Sequence, residues 1–152
     1  MDILNLKEEL CHIEQLAEWH HNEWSYLNPG EGVEDRIAKM RKYLDQSFLP
    51  STYIGKFQGE LIGSAAIVKH DMDNRKELSP WLASVYVTKE FRKNGFGSRL
   101  VKHVMSKAKE KGFKKLYLFT PSQEKFYSNL GWGVVSSEYF RGSLVTIMEV
   151  NL

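Results

Sequence analysis

Along this chain the spacing of apolar positions switches between a period near four and a period of two. Residues 3–6 predict a short edge strand. Over residues 8–24, Leu10, Ile13, Leu16, Ala17 and Trp24 recur at helical spacing. Asn28-Pro29-Gly30-Glu31-Gly32 breaks the chain. A second helix then turns Val33, Ile37, Met40 and Leu44 inward, with Glu34 and Asp35 at its favourable amino end and Pro50 closing it. Residues 52–57 and 61–69 read as strands joined by a turn at Gln58-Gly59. Residues 70–79 are almost wholly polar and predict a loop.

Trp81–Val87 is a short run of β-branched and aromatic side chains, the signature of a buried strand. After it, Phe96, Leu100, Val101, Val104, Met105 and Ala108 keep one helical face apolar up to Gly112, a glycine where the residue after a C-cap belongs. Residues 115–119 predict another strand. Thr120-Pro121-Ser122-Gln123 reads as a helix start, with Thr120 capping and Gln123 completing a capping box. That helix carries Phe126, Tyr127 and Leu130 and stops at Gly131. Residues 132–140 and 144–150 pair around Arg141-Gly142. The sum is a mixed α/β (α+β) fold: a sheet of six to seven strands, made by hairpins and strand–helix–strand crossovers, flanked by about four helices.

Composition narrows the class. A chain of 152 residues that is 42% hydrophobic has material for a core, and we read 1–152 as a single domain. Lys and Arg number 21 against 19 acidic residues, so no global charge argues for nucleic acid or an anionic membrane. The one cysteine, Cys11, forms no internal disulfide and belongs to no metal-binding spacing. No apolar run approaches ~18 residues and no secretory leader is evident, so a cytoplasmic protein is expected.

The chemistry concentrates between the central strand and the helix after it. Gly95 and Gly97 let a loop approach a ligand closely, and the first N–H groups of a helix lack internal partners. The macrodipole adds positive potential there. Arg92, Lys93, Arg99 and Lys102 lie nearby. The implied ligand is a phosphate or pyrophosphate. A P-loop is absent, and a dinucleotide fingerprint would need glycine where Leu100 stands.

Arg92-Lys93-Asn94-Gly95-Phe96-Gly97, an R-x-x-G-x-G after a strand, resembles the acetyl-CoA pyrophosphate loop of the GNAT superfamily of N-acetyltransferases. Phe126-Tyr127-Ser128-Asn129-Leu130-Gly131-Trp132 resembles that superfamily's F-Y-x-x-L-G-[FW] segment, and the element order matches over nearly the whole chain. The resemblance implies a mostly antiparallel sheet, acetyl-CoA as cosubstrate, and direct acetyl transfer to a primary amine without a metal. It implies that Val85, Tyr86 and Val87 meet the pantetheine arm, with the Val85 N–H polarising the thioester carbonyl. It implies that Arg92, Lys93, Asn94, Gly95, Phe96, Gly97 and Ser98 wrap the pyrophosphate, mainly through backbone amides. Tyr127 is the expected catalytic residue, protonating or hydrogen-bonding the leaving thiolate.

A general base is not assigned. Many superfamily members carry a Glu eleven residues before the R-x-x-G-x-G loop, where this chain has Trp81. Glu77 or a water chain are alternatives. His20-His21 reads as one packed and one solvated histidine rather than a metal pair. Glu18, Glu23, Glu31, Glu34 and Asp35 either line an acceptor groove or cover amphipathic helices. Trp24, Tyr26 and Trp81 either shape an acceptor pocket or, for at least two of them, pack the core. The expected partner is a small-molecule amine: an aminoglycoside, polyamine, amino-acid derivative or peptide N-terminus. A homodimer through an exposed sheet edge is conceivable. Two rival readings stand: a catalytically idle acyl-CoA-binding or sensing module of the same fold, and a purely structural domain.

Overall fold

The computed structural model describes residues 1–44 and 47–152. Seven strands form one sheet in the order β1-β2-β3-β4-β5-β7-β6: β1 (Asp2–Asn5), β2 (Ser51–Phe57), β3 (Glu60–Val68), β4 (Trp81–Val87), β5 (Lys115–Thr120), β6 (Gly133–Phe140) and β7 (Ser143–Asn151). Every neighbouring pair is antiparallel except β4 with β5. The β2–β3 and β6–β7 turns have the backbone their sequences predict. Gln58 and Gly59, like Arg141 and Gly142, both have positive φ, as a type I′ hairpin requires.

Helices cover both faces. α1 (Ile13–Trp24) and α2 (Val33–Lys42) pack Leu16, Ala17 and Met40 against Ile54 and Leu61. α3 (Phe96–Glu110) packs Leu100, Val101, Val104 and Ala108 against Tyr53, Ala65, Ile67 and Leu82 on the opposite face. Tyr53 and Ile54, adjacent in β2, thus serve opposite faces, as the two-residue period of a strand demands. β3 is buried along nearly its whole length because both its faces are covered. A third cluster, Met72, Trp81, Phe140, Val145 and Ile147, seals the end of the sheet beneath the polar loop. α4 (Glu124–Ser128) is a single short helix between β5 and β6.

Two local expectations fail. The first helix does not begin at residue 8: single 3₁₀ turns at Leu6–Glu8 and Leu10–His12 precede α1. Glu9 breaks the helical path at φ −140°, its carboxylate held by Lys56 at 2.9 Å and His12 at 3.0 Å, and Leu10 is left 53% exposed rather than inward. The capping box at Thr120 does not form either. Thr120 Oγ1 accepts from the Ser122 and Gln123 amides, which turns the chain, and α4 starts only at Glu124. At the other end of α3 the expectation holds. The Phe113 N–H donates to Ala108 O and Gly112 sits at φ +91°, a Schellman close.

Candidate active site

The site begins where the sheet comes apart. β4 and β5 run parallel, and among the described residues they share a single register pair, Trp81 with Tyr117. On its other edge β4 stays paired with β3, but Ser64 opposes Tyr86 while Ala66 opposes Ala83, so β4 carries one extra residue. Ser84, at φ +52°, takes up that bulge. A bulge bends and twists its strand, and β4 leaves β5 in this stretch. The gap opens into a cavity of about 450 Å³, within the range of small-ligand sites. Leu82, Ala83, Ser84 and Val85 form one wall, and the end of β5 with Tyr127 forms another. α1, α2 and the β6–β7 turn close the far side.

The bulge is anchored by a chain of hydrogen bonds. Arg36 on α2 approaches His20 Nδ1 at 3.5 Å, and an arginine can only donate. His20 therefore carries its proton on Nε2 and donates it to Ser64 Oγ at 2.9 Å. The Ser64 hydroxyl in turn donates to the Ser84 carbonyl at 2.8 Å. Burial and the Arg36 charge push the His20 pKa down to about 3, so this histidine is neutral. Its ring also meets Trp24 and Tyr86. His20 is thus the packed histidine of the pair, whereas His21 is partly exposed.

After β4 the chain passes through an exposed loop, residues 92–95, into α3. Lys93 and Gly95 have φ of +65° and +79°, and the first α-helical bond there is Arg99 N–H to Gly95 O. The amides of Phe96, Gly97 and Ser98 precede it and, among the described residues, have no helical acceptor. Two side chains brace the loop instead of reaching outward. Arg92 donates to Val87 O at 2.8 Å with its guanidinium over the Tyr86 ring, and Asn94 donates to the carbonyls of Phe91 and Arg92. A Cβ built on Gly95 would meet nothing within 4 Å, so the loop is open. At Gly97 it would lie 3.5 Å from Phe126 and 3.7 Å from Val87, which brings the ends of β4, α3 and α4 together. Exposed amides, a left-handed entry and basic Lys93 and Arg99 fit a diphosphate.

Phe126 and Tyr127 share α4 but face different neighbours. Tyr127 is buried among Phe126, Trp132 and the cavity wall, and burial pushes its phenol up from the ordinary value. Of the residues singled out in the sequence, Val85 and Tyr127 therefore meet at one cavity. Tyr86 turns away and stacks on Trp19, and Val87, loop 92–95 and the start of α3 lie outside the cavity wall, with Phe126 next to Gly97. Trp81 is 0% exposed with its indole N–H donating to Leu78 O. Glu77 lies off the cavity wall, paired with Arg75. Of the acidic residues weighed for a groove, only Glu23 lines this cavity. Trp24 and Tyr26 also line it, Tyr26 being largely exposed.

Sequence reasoning missed Asp71. It lies in the polar loop after β3, lines the cavity, and faces the charges of Lys39, Arg36 and Arg141. Loss of surrounding water nevertheless pushes its carboxyl up to about 6. Nothing in a loop of mixed charges distinguishes this aspartate from Asp73 two residues later.

A sheet parted between parallel β4 and β5, with a glycine-bearing helix start at the end of β4, is the geometry of the site. The chain belongs to the acetyltransferase (GNAT) family, whose model matches residues 13–132. Acetyl-CoA is the cosubstrate of that family. No curated protein sequence matches the chain. Among solved structures it resembles an aminoglycoside 6′-N-acetyltransferase complexed with coenzyme A, at TM-score 0.77 and 16% identity over 99% of this chain and 97% of that one. It also resembles a ribosomal-protein-alanine N-acetyltransferase from Brucella melitensis, at TM-score 0.75 and 14% identity over 100% of both. A GNAT family acetyltransferase from Elizabethkingia anophelis with acetyl-CoA bound aligns at TM-score 0.57 and 20% identity, over 76% of this chain and 82% of that one. At these identities the likeness is one of fold.

Proposed function

We propose that the protein is an N-acetyltransferase that moves an acetyl group from acetyl-CoA directly to a primary amine. The observation that carries this reading is the meeting of Val85 and Tyr127 at the gap where β4 leaves β5. On this reading the amides of residues 94–98 hold the diphosphate of the cosubstrate, and the free edge of β4 along Val85, Tyr86 and Val87 lies along its pantetheine arm. Arg92 and Asn94 act by fixing the loop, through the carbonyl contacts described above. Bound acetyl-CoA supplies an electrophilic thioester carbonyl. The Val85 N–H polarises that carbonyl oxygen, on which negative charge grows as the amine attacks. Tyr127, kept protonated by burial, donates to the departing sulfur.

Calorimetry with coenzyme A and a thiol-release assay over an amine panel test the reading. Heat of binding and amine-dependent thiol release are expected. No heat of binding would overturn the cofactor assignment and leave a structural domain. The idle-module alternative draws on Trp81, packed in the core at the position where the resemblance implies a Glu in many superfamily members; binding without thiol release for any amine would favour it.

A further inference from the structure

The acetyltransferase reading leaves the acceptor open, and the far half of the cavity bears on it. Four basic side chains line it from three separate segments: Arg36 and Lys39 on α2, Lys76 in the loop after β3, and Arg141 in the β6–β7 turn. Three acidic ones, Glu23, Asp71 and Asp73, share the wall. The acids do not exceed the bases. A site for a polyamine or an aminoglycoside, each with several ammonium groups, needs a surplus of carboxylate, since like charges brought together in a recess repel.

Donors in this half also remain unspent. Arg36 pairs with Glu31 at 3.3 Å and contacts His20, yet its Nε is buried with no acceptor. Lys39 lies over the Tyr43 ring and forms no ion pair within 4.0 Å among the described residues. Arg141 is fixed by Leu27 O and Asn28 Oδ1, at 3.1 and 3.0 Å, so its charge is held at the cavity rather than swinging in solvent. Its contact to Asp73 is long, at 3.6 Å, and Asp73 is exposed. Fixed guanidinium groups and an unpaired ammonium are the donors that recognise a planar carboxylate.

The geometry points to an acceptor that carries a carboxylate as well as its amine, an amino acid or short peptide, with Lys39, Arg36 and Arg141 receiving the carboxylate. This rests on the acetyltransferase reading and deepens it. Asp71, set among those three cations, supplies the opposite charge that an incoming ammonium needs. The acceptor side is then matched to a zwitterion and mismatched to a polycation.

The test is thiol release with acetyl-CoA and three acceptors, phenylalanine, β-alanine and the dipeptide Ala-Leu, each beside its carboxamide, together with spermidine and kanamycin. At least one acid is expected to exceed its amide by about tenfold or more in kcat/KM and to exceed both polycations. The double variant Lys39→Gln/Arg141→Gln is expected to bring that ratio within about twofold, mostly through KM. Equal use of acids and amides, or a preference for spermidine or kanamycin, overturns the inference while leaving the acetyltransferase standing. Should no amine react although coenzyme A binds, calorimetry of N-acetyl-Ala-Leu and its amide against the coenzyme A complex decides. Tighter binding of the acid supports the carboxylate site, and equal or absent binding removes it. Failure to bind coenzyme A at all would instead sink the underlying reading.

Discussion

His20 Nε2 lies 2.9 Å from Ser64 Oγ, joining α1 to β3 across 44 positions of sequence. Because Ser64 passes the interaction on to the Ser84 carbonyl, a residue on the helical face helps hold the bulge that parts β4 from β5. His20→Leu leaves the Ser64 oxygen without its donor and removes the acceptor of Arg36 Nη2. A buried polar group so orphaned costs about 1–3 kcal/mol. Denaturant unfolding at pH 7.5 is expected to register that loss, and a change below about 0.5 kcal/mol would show the chain to be incidental.

Acid stability follows from the direction of two shifts that oppose each other. His20 has a folded pKa lowered from 6.5 to about 3, so its contribution is complete above 6.5 and is lost as pH falls through the window below. Asp71 has a folded pKa raised from 3.8 to about 6, so its contribution is complete below 3.8 and is lost as pH rises through 6. Asp71→Asn removes the second effect alone. The variant is expected to melt higher than the parent at pH 7.5, with the gap shrinking toward pH 4.5 in thermal unfolding. A gap independent of pH would contradict the burial of this carboxyl.

Gly63 tests how tightly β3 and β4 approach. A Cβ there would run into the Tyr86 carbonyl, a backbone atom that cannot rotate away, and would also lie 3.3 Å from Leu100. Gly63→Ala is expected to cost about 1–3 kcal/mol in denaturant unfolding, the range for overpacking. Gly97→Ala, whose Cβ meets only ordinary contacts at 3.5 Å and beyond, is expected to leave stability nearly unchanged.

Gly95 should separate loop shape from loop space. Nothing crowds a Cβ at this position, but its φ of +79° costs a residue other than glycine about 1–2 kcal/mol. Gly95→Ala is therefore expected to weaken coenzyme A binding by roughly tenfold in calorimetry, through strain in the loop that presents the amides. Unchanged affinity would mean that the diphosphate does not depend on this conformation.

What could be read from sequence was what depends on short-range pattern. Trp81–Val87, the two I′ turns at Gln58-Gly59 and Arg141-Gly142, and the Gly112 close of α3 all rest on neighbours in the chain, and all are present. Among the described residues, the mostly antiparallel seven-strand sheet with four α-helices agrees with what the resemblance implied. Long-range effects were not legible. Ser84 adopts a left-handed backbone without being glycine, so no residue type announces the bulge. Its anchor, Ser64 and His20, is distant in sequence, and Asp71 acquires its character only from tertiary burial, which outweighs the cations on α2 and the β6–β7 turn beside it. At Thr120 a threonine followed by proline suits a turn as well as a helix cap, and the turn prevails.

Tyr127 offers the most direct test of the chemistry. Among the described residues its hydroxyl has no hydrogen-bond partner, so Tyr127→Phe removes no bond from the folded protein, and stability should stay within about 0.5 kcal/mol. The raised phenol pKa keeps the proton in place through the ordinary assay range, so the hydroxyl stays able to donate there and does not act as a base. On the proposed role the variant loses the hydrogen-bond donor to the departing thiolate. A drop in kcat of about 10²-fold is expected, with KM for acetyl-CoA changed less than about threefold. The parent's activity should show no decline assignable to Tyr127 up to pH 10. Full turnover in Tyr127→Phe would return this residue to the core it borders and leave the leaving group to water.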